Sequence, residues 1–159
     1  MQVVYKTLSD TAKVWVYPSS RKFYDTEIAG LNEKIELFLD NWKAEDEGLK
    51  VSYQLLYNRF IVLFAEVSET ALTITDLDSA VQFILQLQQE YNVELLDKMN
   101  VCFKQGDYVQ YKDLKEFKKL LKNRAVTDKT IVFDNLIQTK EEFENYWEVP
   151  ISESWYSRF

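Results

Sequence analysis

The order of hydrophobic and polar positions predicts three strands in the first 67 residues. Residues 13–17 are β-branched and aromatic and stop at Pro18, which is typical of a strand. Apolar and polar residues alternate from 50 to 57, and we expect a turn at Asn58-Arg59. Residues 60–64 are almost continuously apolar, so we expect this third strand to be buried on both faces at the centre of a sheet.

Two segments repeat apolar residues every three or four positions, as an amphipathic helix does. The first begins at Asp25, a candidate N-cap, and runs to the charged residues 45–48. The second opens at the acidic segment 75–78 and ends at Asn92, a candidate left-handed cap. The predicted buried stripes are Ile28, Leu31, Ile35, Phe38 and Trp42 in the first helix, and Leu77, Ala80, Val81, Ile84, Leu87 and Tyr91 in the second.

The C-terminal half alternates shorter elements. They are a strand at 101–103 followed by a Gly106-Asp107 turn, a third helix at 112–124, a strand at 130–133 and a short acidic helix at 139–147. Residues 149–159 lack a regular period but are rich in aromatic residues, so we expect this tail to pack on the body of the protein.

This element order predicts the fold class. The chain follows β-α-β-β-α-β and then α-β-α, which indicates an α+β fold, an α/β sandwich with a mixed or antiparallel sheet. The first six elements match the ferredoxin-like order, and the last three form an extension. A length of 159 residues is typical of one domain, so we expect residues 1–159 to form a single globular unit.

Composition narrows the chemistry that the chain can perform. It contains no histidine, which removes the commonest general base and every Ser–His or Cys–His dyad. Cys102 is the only cysteine and lies in a predicted strand, where a buried, inert thiol is the usual outcome. We predict no cofactor and no catalytic residue. Without a secretory signal pattern or an apolar run near the roughly 20 residues of a membrane span, we expect a cytoplasmic protein.

Charge is distributed unevenly along the chain. The formal net charge is −7, which disfavours generic nucleic-acid binding. Residues 98–124 nevertheless carry eight basic and three acidic side chains, or +5, and the remainder carries −12. The predicted third helix presents a basic face made of Lys112, Lys115, Lys118, Lys119, Lys122 and Arg124. This face suits an acidic protein or a phosphate-bearing ligand; it also fits an ordinary solvated face, or one neutralised by Glu141, Glu142 and Glu144.

Four basic residues lie beside aromatic residues at the ends of predicted elements. They are Arg21, Arg59, Lys104 and Arg158. If they converged with Trp15 or Trp155, they would suit a carboxylate- or phosphate-bearing ligand, and a deep pocket containing one of them would favour that reading. Cation–π stacking and anchoring of the tail are the structural alternative.

Acidic residues offer a weaker metal hypothesis. Asp76 and Asp78 form a D-x-D pair that suits Mg²⁺, although helix capping explains the same residues. Glu66 and Asp134, near predicted strand ends, could complete a two-metal carboxylate cluster. An Asx turn at Asp134 and a solvated strand edge at Glu66 are the alternatives.

Several segments together resemble a family of small bacterial proteins of about this length. They are residues 15–17, 57–60, 100–106, 131–136, 147–150 and 154–159, so the resemblance covers nearly the whole chain. Members of that family are often labelled automatically as ABC transporter ATPases, and no established activity comes with the resemblance. A Walker-type loop needs G-x-x-x-x-G-K-[ST], and none of Gly30, Gly48 and Gly106 begins that motif. We therefore reject ABC-type ATP hydrolysis.

The sequence favours a non-catalytic binding or interaction module that uses the lysine face and the aromatic tail. One alternative is a small enzyme, or a protein that binds a phosphate- or nucleotide-type ligand, using carboxylates or the Arg/Lys cluster. Nucleic-acid binding through the third helix is a further alternative, which predicts a steep dependence of affinity on salt.

Overall fold

A computed structural model describes residues 2–42, 49–66 and 72–159. Its first sheet has three antiparallel strands in the order β1-β3-β2, namely β1 (Lys13–Pro18), β2 (Lys50–Leu56) and β3 (Phe60–Glu66). Residues 60–65 of the central strand β3 are all buried, so the prediction of a central strand buried on both faces is confirmed.

Two helices cover one face of this sheet. They are α1 (Asp25–Asn41) and α2 (Ile74–Tyr91). Their inward residues, which include Leu31, Ile35 and Ile84, form a core with Ile61 and Leu63 of β3. The side chains of a strand alternate between its faces, so Phe60, Val62 and Phe64 point to the opposite side of the sheet.

A second sheet faces that opposite side. It has four antiparallel strands in the order β5-β4-β6-β7, namely β4 (Val101–Gln105), β5 (Tyr108–Lys112), β6 (Ile131–Phe133) and β7 (Glu148–Pro150). Cys102 and Phe133 of this sheet pack against Phe60, Val62 and Phe64 of the first. The helix α4 (Lys140–Tyr146) contributes Phe143 to the same core, and Trp147 follows it.

The outer face of the second sheet is covered by α3 (Leu114–Lys122) and by two C-terminal 3₁₀ helices (Ile151–Glu153 and Trp155–Arg158). Phe117 of α3 packs on Phe103 with ring centroids 5.5 Å apart. Tyr156, which is buried, contacts Phe117 from the tail at 5.3 Å. The sequence of layers is therefore α1 and α2, first sheet, second sheet, then α3 with the tail.

The α+β fold class and the antiparallel sheets are confirmed. The element order β-α-β-β-α-β is present along the chain, but the strands do not form one ferredoxin-like sheet. Strand β4 pairs with β5 and β6 instead of joining β1, β2 and β3. The predicted α-β-α extension is also incomplete, because β5 and β7 add two strands to it.

Most predicted element ends hold to within two residues. Asn92 adopts φ 52° at the C-cap of α2, as predicted. The N-caps are Tyr24 for α1 and Thr73 for α2, one and two residues before the predicted starts. Leu77 and Val81 were predicted to be buried, but α2 leaves both more than a third exposed. The predicted end of the first helix at 45–48 lies outside the described residues; α1 ends at Asn41.

Candidate functional site

The helix α3 separates a buried edge from a basic face. Asp113 caps its N-terminus, accepting a hydrogen bond from the Glu116 amide at 2.7 Å. Phe117 is fully buried against the second sheet. The exposed lysines of the helix are Lys115, Lys118, Lys119 and Lys122. Lys112 was predicted to begin this helix, but it ends β5 and lies 3.9 Å from the Glu116 carboxylate.

The aromatic tail meets this basic face. The Lys118 ammonium lies 4.3 Å from the centroid of the Phe159 ring. The Trp155 ring contacts that of Phe159 at 5.2 Å, and the Arg158 guanidinium lies 5.7 Å from the Trp155 centroid. A cleft of about 630 Å³ runs between helix and tail, and Lys118, Lys122 and Phe159 contribute to its lining.

We call this combined face the basic–aromatic surface. It comprises Lys115, Lys118, Lys119, Lys122, Trp155, Arg158 and Phe159. Across the described part of the chain, none of its four lysines forms an ion pair. The alternative in which α4 neutralises this face is not found among the described residues: Glu144 accepts a hydrogen bond from the Tyr5 hydroxyl at 2.7 Å and lies 3.8 Å from the Lys140 ammonium. In the described part of the chain these lysines are therefore not neutralised by ion pairs, although Asp128 also contributes to the lining of the cleft.

Two members of the predicted Arg/Lys cluster are already paired. Arg21 donates to both carboxylate oxygens of Glu27 at 2.9 and 3.1 Å, and to the Tyr91 carbonyl at 2.6 Å. Hydrogen bonding from Arg21 to the Glu27 carboxylate lowers the pKa of Glu27. Lys104 forms an ion pair with Glu148, which raises the pKa of Lys104. These pairs satisfy both cations within the protein.

The predicted cluster as a whole does not converge. Trp155 and Arg158 lie in the outer layer with α3, and Trp15 of β1 packs on Trp42 at 6.1 Å. Arg59 donates to the Ser19 carbonyl at 3.0 Å and contributes to the lining of a pocket of about 510 Å³. Among the described residues, Arg59 has neither a carboxylate partner nor an aromatic ring beneath its guanidinium. It is also the member of the predicted cluster that lines this pocket.

The D-x-D pair begins α2. Asp76 accepts hydrogen bonds from the amide and the hydroxyl of Thr73 at 2.7 and 2.8 Å, which is a capping role. Asp78 lies two residues further along the helix and contributes to the lining of an open groove between α1 and α2. The groove has a volume of about 770 Å³, and its apolar lining includes Phe38, Trp42 and Phe83.

The strand-end carboxylates have separate local roles. Glu66 accepts a hydrogen bond from the Ser9 amide at 2.8 Å, and hydrogen bonding by the Ser9 hydroxyl, together with this amide, lowers the pKa of Glu66. Asp134 accepts one from the Leu136 amide at 3.0 Å, the Asx-turn geometry. Within residues 2–42, 49–66 and 72–159, no group of three or more carboxylates or thiols is placed to hold a metal ion. The proposed two-metal cluster is therefore not assembled there.

Cys102 is enclosed between the two sheets. Its side chain is fully buried, and burial raises the pKa of the thiol to about 12. The Asn135 amide lies 3.9 Å from the sulfur and also accepts a hydrogen bond from the Trp147 indole at 2.9 Å. A thiol held in its neutral form away from solvent is a poor nucleophile.

No protein-family model, curated protein or solved structure matches this chain. The resemblance to the small bacterial family therefore stays a prediction. None of the helices in the described ranges is both long enough and apolar enough to span a bilayer.

Proposed function

We propose that this protein is a non-catalytic binding module whose basic–aromatic surface docks an acidic segment of a partner protein. The observation that carries the proposal is the juxtaposition of α3 and the tail. Four exposed lysines without an ion pair among the described residues adjoin a cleft that Phe159 helps to line. Carboxylates of a partner would supply the missing countercharge, and apolar atoms between them would contact the exposed ring.

The charge distribution favours a short acidic segment over nucleic acid. Residues 98–124 carry +5, whereas the rest of the chain carries −12. The net charge of −7 disfavours binding of a long polyanion, whereas a short segment that fits the cleft would mainly contact the lysines. The Lys and Arg residues of this surface steer the encounter, and the aromatic rings add contact area.

The composition supports a binding role. The chain contains no histidine, the commonest general base, and no Walker-type phosphate loop. Cys102 is buried with a raised pKa. A binding module needs none of these groups.

Charge reversal on α3 tests the proposal. Fluorescence anisotropy of a labelled glutamate-rich peptide measures the dissociation constant for the wild type and for K118E/K122E, both cleft-lining positions. We expect the double variant to weaken binding at least about tenfold, or about 1.4 kcal/mol. Lys6→Glu is the control for a charge reversal elsewhere on the protein, because Lys6 is exposed and lies in a 3₁₀ helix (Tyr5–Thr7) that contributes to a different core.

Either of two results would contradict the proposal. The first is no saturable binding of the peptide at low salt, and the second is equal weakening by K6E and by K118E/K122E. Tighter binding of a single-stranded oligonucleotide than of the peptide would replace the acidic partner with a nucleic acid.

A further inference from the structure

Arg59 lies at the end of the tight turn between β2 and β3. Its Nη1 donates to the Ser19 carbonyl at 3.0 Å, and the side chain is partly buried. No carboxylate in the described ranges pairs with it. A guanidinium has five N–H donors, so one backbone carbonyl uses only part of its capacity.

Burial without a counterion is unfavourable for this group. Desolvation lowers the pKa of Arg59, yet a guanidinium stays protonated in proteins and retains its charge. Partly desolvated charge is stabilised when an opposite charge binds beside it. Of the other predicted ligand-binding cations, Arg21 and Lys104 already have carboxylate partners, and the Arg158 guanidinium lies 5.7 Å from the centroid of the Trp155 ring.

Most residues that line the pocket beside Arg59 have side chains that can donate a hydrogen bond. Its volume is about 510 Å³, within the range of sites for small ligands. The side chains that can donate to a ligand are Arg59, Lys22, Asn58, Gln110 and Tyr108. Among the described lining residues, Asp107 is the one acidic side chain. Lys22 is exposed, and no carboxylate pairs with it in the described part of the chain.

Backbone hydrogen bonds fix the parts of this pocket relative to one another. The Ser19 amide donates to the Arg59 carbonyl at 3.0 Å, and the Phe23 amide to the Asn58 carbonyl at 2.7 Å. These bonds tie the segment that carries Lys22 to the turn that carries Arg59. The donors are thus held in place before a ligand arrives, which reduces the entropy that binding costs.

The turn itself adopts an unusual backbone. Tyr57 and Asn58 have φ of 56° and 49°, a region that few residues other than glycine and asparagine enter. The Tyr57 hydroxyl donates to Glu148 at 2.9 Å, and its ring contacts Phe133 at 5.5 Å. Contacts with the second sheet thereby hold the turn that positions Arg59 at the pocket.

We propose that this pocket binds a small ligand through an oxyanion group, a phosphate or a carboxylate, held by Arg59 and Lys22. Arg59 provides a planar donor array that matches two oxygens of such a group, and Lys22 adds a second positive charge. The site shares no residue with the basic–aromatic surface, so it is a second binding function that does not depend on the first.

An NMR titration of the full chain tests this site. Inorganic phosphate and malonate are added separately to ¹⁵N-labelled protein, and the Arg59 Nε–Hε signal and the amides of 107–110 are followed. We expect saturable shifts with a dissociation constant of about 1 mM or below for at least one of the two anions. The anion that binds more tightly assigns the oxyanion as phosphate or carboxylate.

Variants separate the site from general salt effects. Lys22→Gln should weaken binding at least about threefold, and Arg59→Gln should abolish the saturable shifts of 107–110. Lys6→Gln, which removes an exposed lysine outside the pocket, should leave the dissociation constant unchanged. Circular dichroism reports whether Arg59→Gln stays folded, and the exposed Lys22 provides a variant that leaves the core intact.

Two results would overturn the assignment. One is the absence of saturable shifts at 107–110 with both anions up to about 50 mM, well above the expected dissociation constant. The other is binding that Lys22→Gln and a folded Arg59→Gln leave at the wild-type affinity.

Discussion

At the residue scale, a buried hydrogen bond joins Asn135 and Trp147 within the inter-sheet core. Both side chains are almost fully buried, and Trp147 contacts the rings of Phe60, Phe133 and Phe143 at about 5 Å. The Asn135 oxygen accepts from the Trp147 indole N–H at 2.9 Å. The aromatic core therefore depends on one amide to satisfy its indole donor.

Asn135→Ala should lower the free energy of unfolding by about 1–3 kcal/mol, because it leaves the Trp147 N–H buried without an acceptor. Urea denaturation measures the loss. In a Trp147→Phe background the same substitution should cost about 1 kcal/mol less, since no indole donor remains. Equal costs in both backgrounds would show that the hydrogen bond is not the source of the effect.

The Arg21–Glu27 pair gives a pH-dependent prediction. Its hydrogen bond lowers the pKa of Glu27 in the folded state, so the contribution of Glu27 to stability is complete above the unfolded pKa of about 4.3 and is lost as the pH falls through the folded pKa. Glu27→Gln should cost about 1 kcal/mol at pH 7, and the cost should shrink below about pH 4.3. Urea midpoints between pH 7 and pH 3 measure this change.

Glu33→Gln on the exposed side of α1 is the control, and we expect a change within about 0.5 kcal/mol at every pH. A cost of Glu27→Gln that stayed constant across the same pH range would refute the linkage to Glu27 ionisation.

At the scale of elements, α3 is short and depends on its N-cap. The helix has nine residues, and an isolated helix of that length is marginal in water. The carboxylate of Asp113 accepts from the Glu116 amide at 2.7 Å, and Lys119 and Lys122 lie in the last turn, where cations favour the helix dipole. Packing of Phe117 and this cap together hold the lysines in place.

Asp113→Ala should lower the free energy of unfolding by about 1 kcal/mol, whereas Asp113→Asn should cost only a few tenths because the amide oxygen can still accept the bond. Chemical denaturation of both variants checks this difference. If the two variants lost equal stability, the cap would not be what stabilises α3.

Local sequence patterns predict the elements that have a clear apolar run or a regular apolar period, and they do not predict the elements that lack both. The apolar run at β3 and the helical stripe of α1 appeared in the sequence, since burial of one face or of both sets the period. The sequence pattern does not predict strand β5, because its residues Tyr108, Gln110 and Lys112 are polar. The pattern instead places the last of them, Lys112, in the basic helix. Strand β7 has three residues, too few to show a period.

At the scale of the whole molecule, the pairing of strands determines the arrangement of the sheets, which the sequence pattern does not predict. The ferredoxin-like prediction placed all strands in one sheet, but residue order does not determine which strand edges meet. With β4 in a second sheet, the chain becomes four layers with a core between the sheets, where Phe60 of β3 packs on Phe133 of β6.

The candidate sites also differ in whether they lie within one element or depend on contacts between distant segments. The lysine face of α3 was visible in the sequence because its charges recur within one helix. Its contact with Phe159, and the meeting of Arg59 with Lys22 at one pocket, depend on segments distant in sequence. No local signal marks Lys22 or Tyr108 as a neighbour of Arg59, so only the folded structure brings them together.

The location of the peptide footprint tests the central claim most directly. We would titrate the glutamate-rich peptide into ¹⁵N-labelled protein and map the amides that shift. The proposed docking surface predicts saturable shifts concentrated at 114–122 and 154–159, which weaken as salt is raised. Shifts centred on the groove between α1 and α2, or the absence of any saturable shift at low salt, would contradict it.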